Sequence, residues 1–121
     1  MASLVPTLTL TSSDVSTAEA LSLSVTDNLA VSGGAISFQV VTSTTGTVFA
    51  AAANYSKSYV FLQNLDANIA MTIEKANNGD EYMTLGAKEF AFFPWAAAVD
   101  LAVDAASGTP TLEVRIYQAA S

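Results

Sequence analysis

Asp100, Asp104 and Glu113 are the residues of this 121-residue chain best placed for acid–base chemistry. Period-two spacing sets Asp100 and Asp104 on one strand face, with Glu113 near them across a closing hairpin. Carboxylates of this kind hydrolyse glycosides when they converge on one cleft at about 5 to 10 Å. A solvated strand face balanced by Arg115 accounts for the same residues with no reaction at all. Asn77, Asn78, Asp80 and Glu81 gather oxygen ligands suited to calcium, but they lack the spacing of an EF-hand loop. An Asn-Gly hairpin turn explains them without metal. Asn54-Tyr55-Ser56 matches a glycosylation sequon, which matters only in an exported chain. No glycine-rich phosphate loop of the Walker or dinucleotide type occurs.

Cys and His are both absent. Thiol nucleophiles, imidazole bases, Ser-His-Asp triads and Cys/His zinc sites are therefore excluded together. No catalytic, metal or cofactor-binding residue is assigned, and the expectation is a protein that is not an enzyme and uses no cofactor. Four basic residues against eleven acidic ones give a net charge of −7. That is the wrong sign for a phosphate backbone, so no direct nucleic-acid partner is expected. The longest uncharged stretch, Asn28 to Ser56, is broken by Gly33-Gly34 and by Thr42-Ser43-Thr44-Thr45-Gly46. It is not the run of about 20 apolar residues that crosses a bilayer, and no membrane partner is expected. Met1 to Pro6 lacks the basic and apolar regions of a secretory signal, which predicts synthesis and folding in a cytoplasm.

The elements that must position these residues are strands. Apolar side chains recur at every second position in Leu21-Leu23-Val25, Ile36-Phe38-Val40, Ile69-Met71-Ile73, Val99-Leu101-Val103 and Leu112-Val114-Ile116. Turn residues separate the blocks, at Gly33-Gly34, Asn64 to Asn68, Asn77 to Asp80 and Ser107 to Pro110. This pattern predicts an all-β, antiparallel β-sandwich in a single domain. A loop at 105–110 would pair Val99 with Ile116, Leu101 with Val114 and Val103 with Leu112, setting Asp100 opposite Arg115. A three-residue turn ending at a left-handed Gly79 would pair Met71 with Leu85, Ile73 with Met83 and Lys75 with Glu81. Of the 26 Ser and Thr residues 20 lie in 1–58, and all basic residues lie at or beyond Lys57. Residues 1–20 are accordingly expected as an extended N-terminal arm or a first strand, with a short helical turn possible at 12–20, and 21–121 as the sandwich.

Two segments are apolar on both strand faces. In Lys57 to Asn64, Tyr59 and Phe61 point one way and Val60 and Leu62 the other; in Glu89 to Trp95 the aromatics occupy both parities. A sandwich has one interior, so the second face needs a loop, an outer layer or another chain. Tyr59, Val60, Leu62, Phe93 and Trp95 are the candidate subunit-contact residues; the alternative tucks Phe93 and Trp95 under residues 96–98 or the N-terminal arm. An exposed Trp95 or Tyr55 would instead serve as a stacking platform for a host-surface glycan.

The segments Lys57 to Asn64, Met83 to Trp95 and Thr111 to Tyr117 resemble the small virion structural proteins of tailed bacteriophages, notably those of aquatic and cyanobacterial hosts. The likeness spans roughly residues 20 to 118 and rests on strand and loop segments. It implies a β-sandwich or jelly-roll module that decorates or cements the capsid exterior. Such a module would bind between subunits of the major capsid protein as a homo-oligomer, commonly a dimer or trimer. Related modules sit in head fibres or tails, where they would bind a host glycan or receptor.

Overall fold

Wherever apolar and polar residues alternate, the computed structural model contains a strand; it describes residues 2–11, 22–76 and 79–120, with side chains for all of these except 22, 33 and 34. Among the described residues eleven strands run β1 (Ala2–Leu4), β2 (Thr7–Thr11), β3 (Ser22–Thr26), β4 (Leu29–Val41), β5 (Thr47–Ala50), β6 (Ser58–Asn64), β7 (Met71–Lys75), β8 (Glu81–Leu85), β9 (Phe90–Trp95), β10 (Leu101–Ala105) and β11 (Thr111–Ala119). One short 3-10 turn spans Ala52–Asn54. The helical turn considered for 12–20, and Leu21, lie outside the described residues.

Two antiparallel sheets enclose the core, with strand orders β1-β4-β11-β6-β9 and β5-β10-β7-β8. The pairs β4 with β11, β5 with β10, β6 with β9 and β7 with β8 are nested and alternate between the sheets. The last eight strands are thus one long antiparallel hairpin, folded between β7 and β8 and rolled up, which is jelly-roll topology. The antiparallel sandwich expected from the alternation is the observed fold. Its interior comprises Val60 and Leu62 from β6, Leu112, Val114 and Ile116 from β11, Met71 and Ile73 from β7, and Leu101 and Val103 from β10, all fully buried.

The expected pairing of β10 with β11 is not made. Leu101 pairs with Lys75 and Ala50, while Val114 pairs with Phe38 and Leu62. The two strands face each other across the core, because the segment from Ala106 to Pro110 crosses from one sheet to the other. It is anchored by Ala106 N–H donating to the Ala70 carbonyl at 3.1 Å and Thr42 N–H donating to the Pro110 carbonyl at 3.1 Å. Arg115 consequently lies beside Ser37 and Phe61, not opposite Asp100.

In the β7–β8 hairpin, Met71 pairs with Leu85 and Ile73 with Met83 as expected. A register shift after Ile73 then sets Glu74 against Glu81, in place of Lys75. Among the described residues of the turn, the left-handed one is Ala76, at φ 60°, and not Gly79. Gly79 is needed for a different reason, since a Cβ there would run into the Lys75 carbonyl.

Two buried polar side chains tie the sheets together. The fully buried Asn64 donates Nδ2–H to the carbonyls of Ile69 (2.8 Å), Leu85 (3.1 Å) and Gly86 (3.0 Å), while its Oδ1 accepts from Asp66 N–H at 2.9 Å. Thr42 donates its hydroxyl to the Val103 carbonyl at 2.8 Å.

The N-terminal residues form a hairpin of their own. Ala2, Ser3 and Leu4 pair with Val31, Ala30 and Leu29, and Thr7 through Thr11 pair with Thr26 through Ser22 in the same unbroken register. Its lower part joins the edge of the five-stranded sheet, and its upper part, β2 and β3, continues as a separate two-stranded ribbon. Residues 2–11 and 22–31 therefore run as one unit across the residue-20 boundary expected from the sequence.

Candidate functional site

Strand alternation decides where the expected contact residues go. In β6, Val60 and Leu62 point inward and are fully buried in this chain's own core. Trp95 is also buried, and Phe93, which pairs with Val60, packs partly buried against the same core. Val60, Leu62 and Trp95 are thus taken up by this chain's own packing and are not a subunit-contact surface, and Phe93 is partly so. Tyr59 alone of the five points outward, where it is half-buried.

Trp95 is held by its indole N–H donating to the Val99 carbonyl at 3.1 Å and by Tyr55, 5.6 Å away and tilted 57°. Ala97, at φ 59°, packs against the same cluster. The loop after β9 thus covers Trp95, the alternative stated for it from the sequence. The exposed stacking platform expected at Trp95 is absent, and Tyr55 spends its ring on Trp95.

The outer face of the five-stranded sheet carries the uncovered aromatics. Ladder pairing aligns Ser37, Arg115, Phe61 and Phe92 in one row and Ala35, Tyr117, Tyr59 and Pro94 in the next. Polarity therefore changes across the sheet, from hydroxyl and amide groups on β4 to aromatic rings on β6 and the edge strand β9. Phe90 is 58% exposed and Phe92 40% exposed. Phe61 stacks on Phe90 at 6.2 Å, and the Lys57 ammonium stands 5.7 Å over the Tyr59 ring.

A groove of about 730 Å³ opens over this corner. Its floor is Tyr59, Phe61, Phe92, Arg115 and Tyr117, and its far wall is the foot of the ribbon, with Leu8 and Val25. The ribbon is two-sided. Leu8 pairs with Val25 and Leu10 with Leu23, which puts all four on one face, 43–51% exposed. The opposite face carries hydroxyls, with Thr7 and Thr26 Oγ1 atoms 3.3 Å apart. An isolated two-stranded ribbon is marginally stable in water, so an uncovered apolar face on one calls for a covering layer.

Phe61, Phe90, Phe92 and the four ribbon residues were not among the contact residues expected from the sequence. The signal was present: Phe61 has the opposite parity to Val60 and Leu62, and Thr7 to Thr11 repeats the alternation of Ser22 to Thr26.

The acidic residues do not converge. Asp104 lies on β10 and Glu113 on β11, in different sheets. Asp100 accepts Ala52 N–H at 2.8 Å, which anchors the 3-10 turn. Glu113 accepts from Gln39 at 3.2 Å and Ser37 at 3.3 Å, with Arg115 at 3.5 Å. The Gln39 amide in particular holds its carboxyl below the usual range. Asp66 is lowered likewise, chiefly by the backbone N–H groups of Asn68 and Ile69, which donate to it at 2.7 and 2.8 Å. These carboxylates serve turns and strand faces, and the glycoside-hydrolase geometry considered for Asp100, Asp104 and Glu113 is not formed. Asn77 and Asn78 of the calcium reading lie outside the described residues. Among the described residues no group of three or more acidic side chains could hold a metal ion, and no helix is long and apolar enough to cross a membrane.

No protein-family model and no curated protein matches this chain. Among solved structures, it is similar to a chain of the disulfide-linked pili that form Bacillus endospore appendages. The TM-score is 0.49 and the identity 11%, over 77% of this chain and 91% of the other. So distant a likeness adds nothing to the fold read from the strand order.

Proposed function

We propose that this protein is a structural, non-enzymatic subunit of a bacteriophage particle, decorating or cementing the capsid exterior by docking between subunits of the major shell protein. The observation that carries this reading is the pair of apolar surfaces left uncovered on a well-packed jelly roll: the aromatic corner of the five-stranded sheet and the leucine face of the ribbon. The strand and loop resemblance to phage virion proteins supplies the setting. Burying such area contributes about 25 cal/mol per Å², and many copies on one shell multiply a modest local gain. A low charge content and a framework of backbone pairing and apolar packing suit a protein that works by contact alone.

Co-sedimentation of the purified chain with empty phage shells tests this, followed by reconstruction of decorated particles. Saturable binding, weakened by Phe90→Ser and Phe92→Ser, is the expected result. Absence of binding to shells, with density found only in a tail or fibre, would overturn the capsid reading and move the protein to host recognition.

A further inference from the structure

We propose that the ribbon of β2 and β3 is a strap, which closes over this chain's own aromatic corner and lifts when that corner docks. The groove already contains its occupant. Its floor is aromatic, and its far wall is this chain's own Leu4, Pro6, Leu8 and Val25. Leu8 and Val25 share a ribbon face with Leu10 and Leu23, so the ribbon turns its apolar face toward the floor. The two surfaces are held apart. Leu10 and Leu23 lie outside the groove at 51% and 47% exposed, while Phe90 and Phe92 line it at 58% and 40%. Five residues per strand give the strap about 17 Å of reach, against about 10 Å for the two strand spacings from β11 to β9.

A joint lies at the foot of the strap. Strand structure lapses at residues 5–6 and at 27–28, level with each other in the two strands, and resumes in the same register. Asp27 N–H donates to the Pro6 carbonyl at 3.2 Å, which makes these two a hydrogen-bonded pair of the antiparallel ladder. Such a pair exchanges two bonds, but Pro6 has no N–H with which to return the second. The ladder is therefore weakest where the ribbon meets its base. The base itself is fastened to the sheet, by Val31 against Ala119 and by Ala120 N–H donating to the Ala30 carbonyl at 3.0 Å. A bend at the joint swings β2 and β3 as one body and leaves the ladders on either side intact. Closure removes water from apolar area on both walls, a gain in proportion to the area covered. Asp27 and Arg115 both line the groove, and Arg115 already pairs with Glu113 at 3.5 Å, so closure rests on apolar contact and not on charge. In the free chain the closed strap shields a corner whose exposure invites aggregation.

Disulfide trapping tests the strap in the full chain, which has no cysteine of its own. Leu10→Cys is combined in turn with Phe90→Cys and with Phe92→Cys, and each double variant is oxidised mildly at low concentration. A disulfide requires Cα atoms within about 7 Å, a separation that closure supplies. A monomeric disulfide is expected in at least one of the two. Pro6→Thr restores the missing donor, and in that background the trap should form about two- to tenfold more slowly, the effect of one backbone hydrogen bond. The oxidised monomer should lose its sedimentation with empty phage shells, and reduction should restore it. Emission from the buried Trp95 verifies that each variant is folded.

No disulfide in either variant, or intermolecular ones alone, would overturn the strap, and an unchanged trapping rate with Pro6→Thr would overturn the joint. The strap's release rests on the docking reading above, but the two fail separately. A wild-type chain that sediments with shells while neither variant can be trapped refutes the strap alone. A trapped monomer whose wild-type parent ignores shells refutes the capsid reading alone. An oxidised monomer that binds shells as well as its reduced form refutes the lifting of the strap on docking.

Discussion

Replacing Asn64 should cost this protein several kcal/mol of stability. Its side chain is fully buried, and its amide serves three carbonyls while its oxygen takes one backbone N–H. In Asn64→Ala all four backbone groups lose a partner. The Leu85 carbonyl contact is buried, whereas those of Ile69, Gly86 and Asp66 are part-buried and admit some water. At about 1 to 3 kcal/mol for a fully stranded group, and less for those that rehydrate, the loss comes to about 3 to 5 kcal/mol. That is a large share of the roughly 5 to 15 kcal/mol of a typical domain. Asn64→Asp separates hydrogen bonding from volume, because it keeps the shape and turns the donor into an acceptor that faces three carbonyl oxygens. Burial raises the folded-state pKa of the new carboxyl above its unfolded value of about 3.9. Both states are protonated below that value, so the penalty is smallest there and grows as pH rises through the folded pKa. Urea unfolding followed by Trp95 emission, at a series of pH values, measures both effects. An Asn64→Ala variant within about 1 kcal/mol of wild type would refute the bridging role. So would an Asn64→Asp profile running parallel to the wild-type one.

Ala76 sits at φ 60°, where a Cβ is disfavoured, and its side chain is exposed. Ala76→Gly should therefore raise the free energy of unfolding by about 0.5 to 1 kcal/mol, seen as a higher urea midpoint at unchanged slope. Thr42→Val removes the donor to the Val103 carbonyl and should cost about 1 to 2 kcal/mol in the same assay. Acid should destabilise the wild type. Asp66 and Glu113 have lowered folded-state pKa values, so their contribution is present above the ordinary values of 3.8 and 4.5 and is lost as pH falls through the lower folded ones. Asp66→Asn should flatten the acid limb of a plot of melting temperature against pH, and an unchanged limb would remove Asp66 from the account.

Much of this architecture was legible in the amino-acid order. Alternation determined which side of Leu101, Val103, Leu112, Val114 and Ile116 faces a core, since strand side chains point to opposite faces whatever strand lies alongside. The same rule marked Tyr59 and Phe61 as opposed to Val60 and Leu62. The absence of Cys and His excluded whole classes of chemistry before any coordinate was known. What alternation does not carry is the identity of the neighbour. The β10 and β11 patterns are satisfied equally by pairing side by side or by facing each other across the sandwich, and the crossing of Ala106 to Pro110 decided for the second. Nor does it say which apolar face is inner. Val60, Leu62, Phe93 and Trp95 went inward because the second sheet lies on their side of the first, which left Tyr59, Phe61, Phe90 and Phe92 on the open one. Facing is a local property of the strand, set by backbone geometry within a few residues. Burial belongs to the packed pair of sheets, and only contacts between residues far apart in the chain determine it.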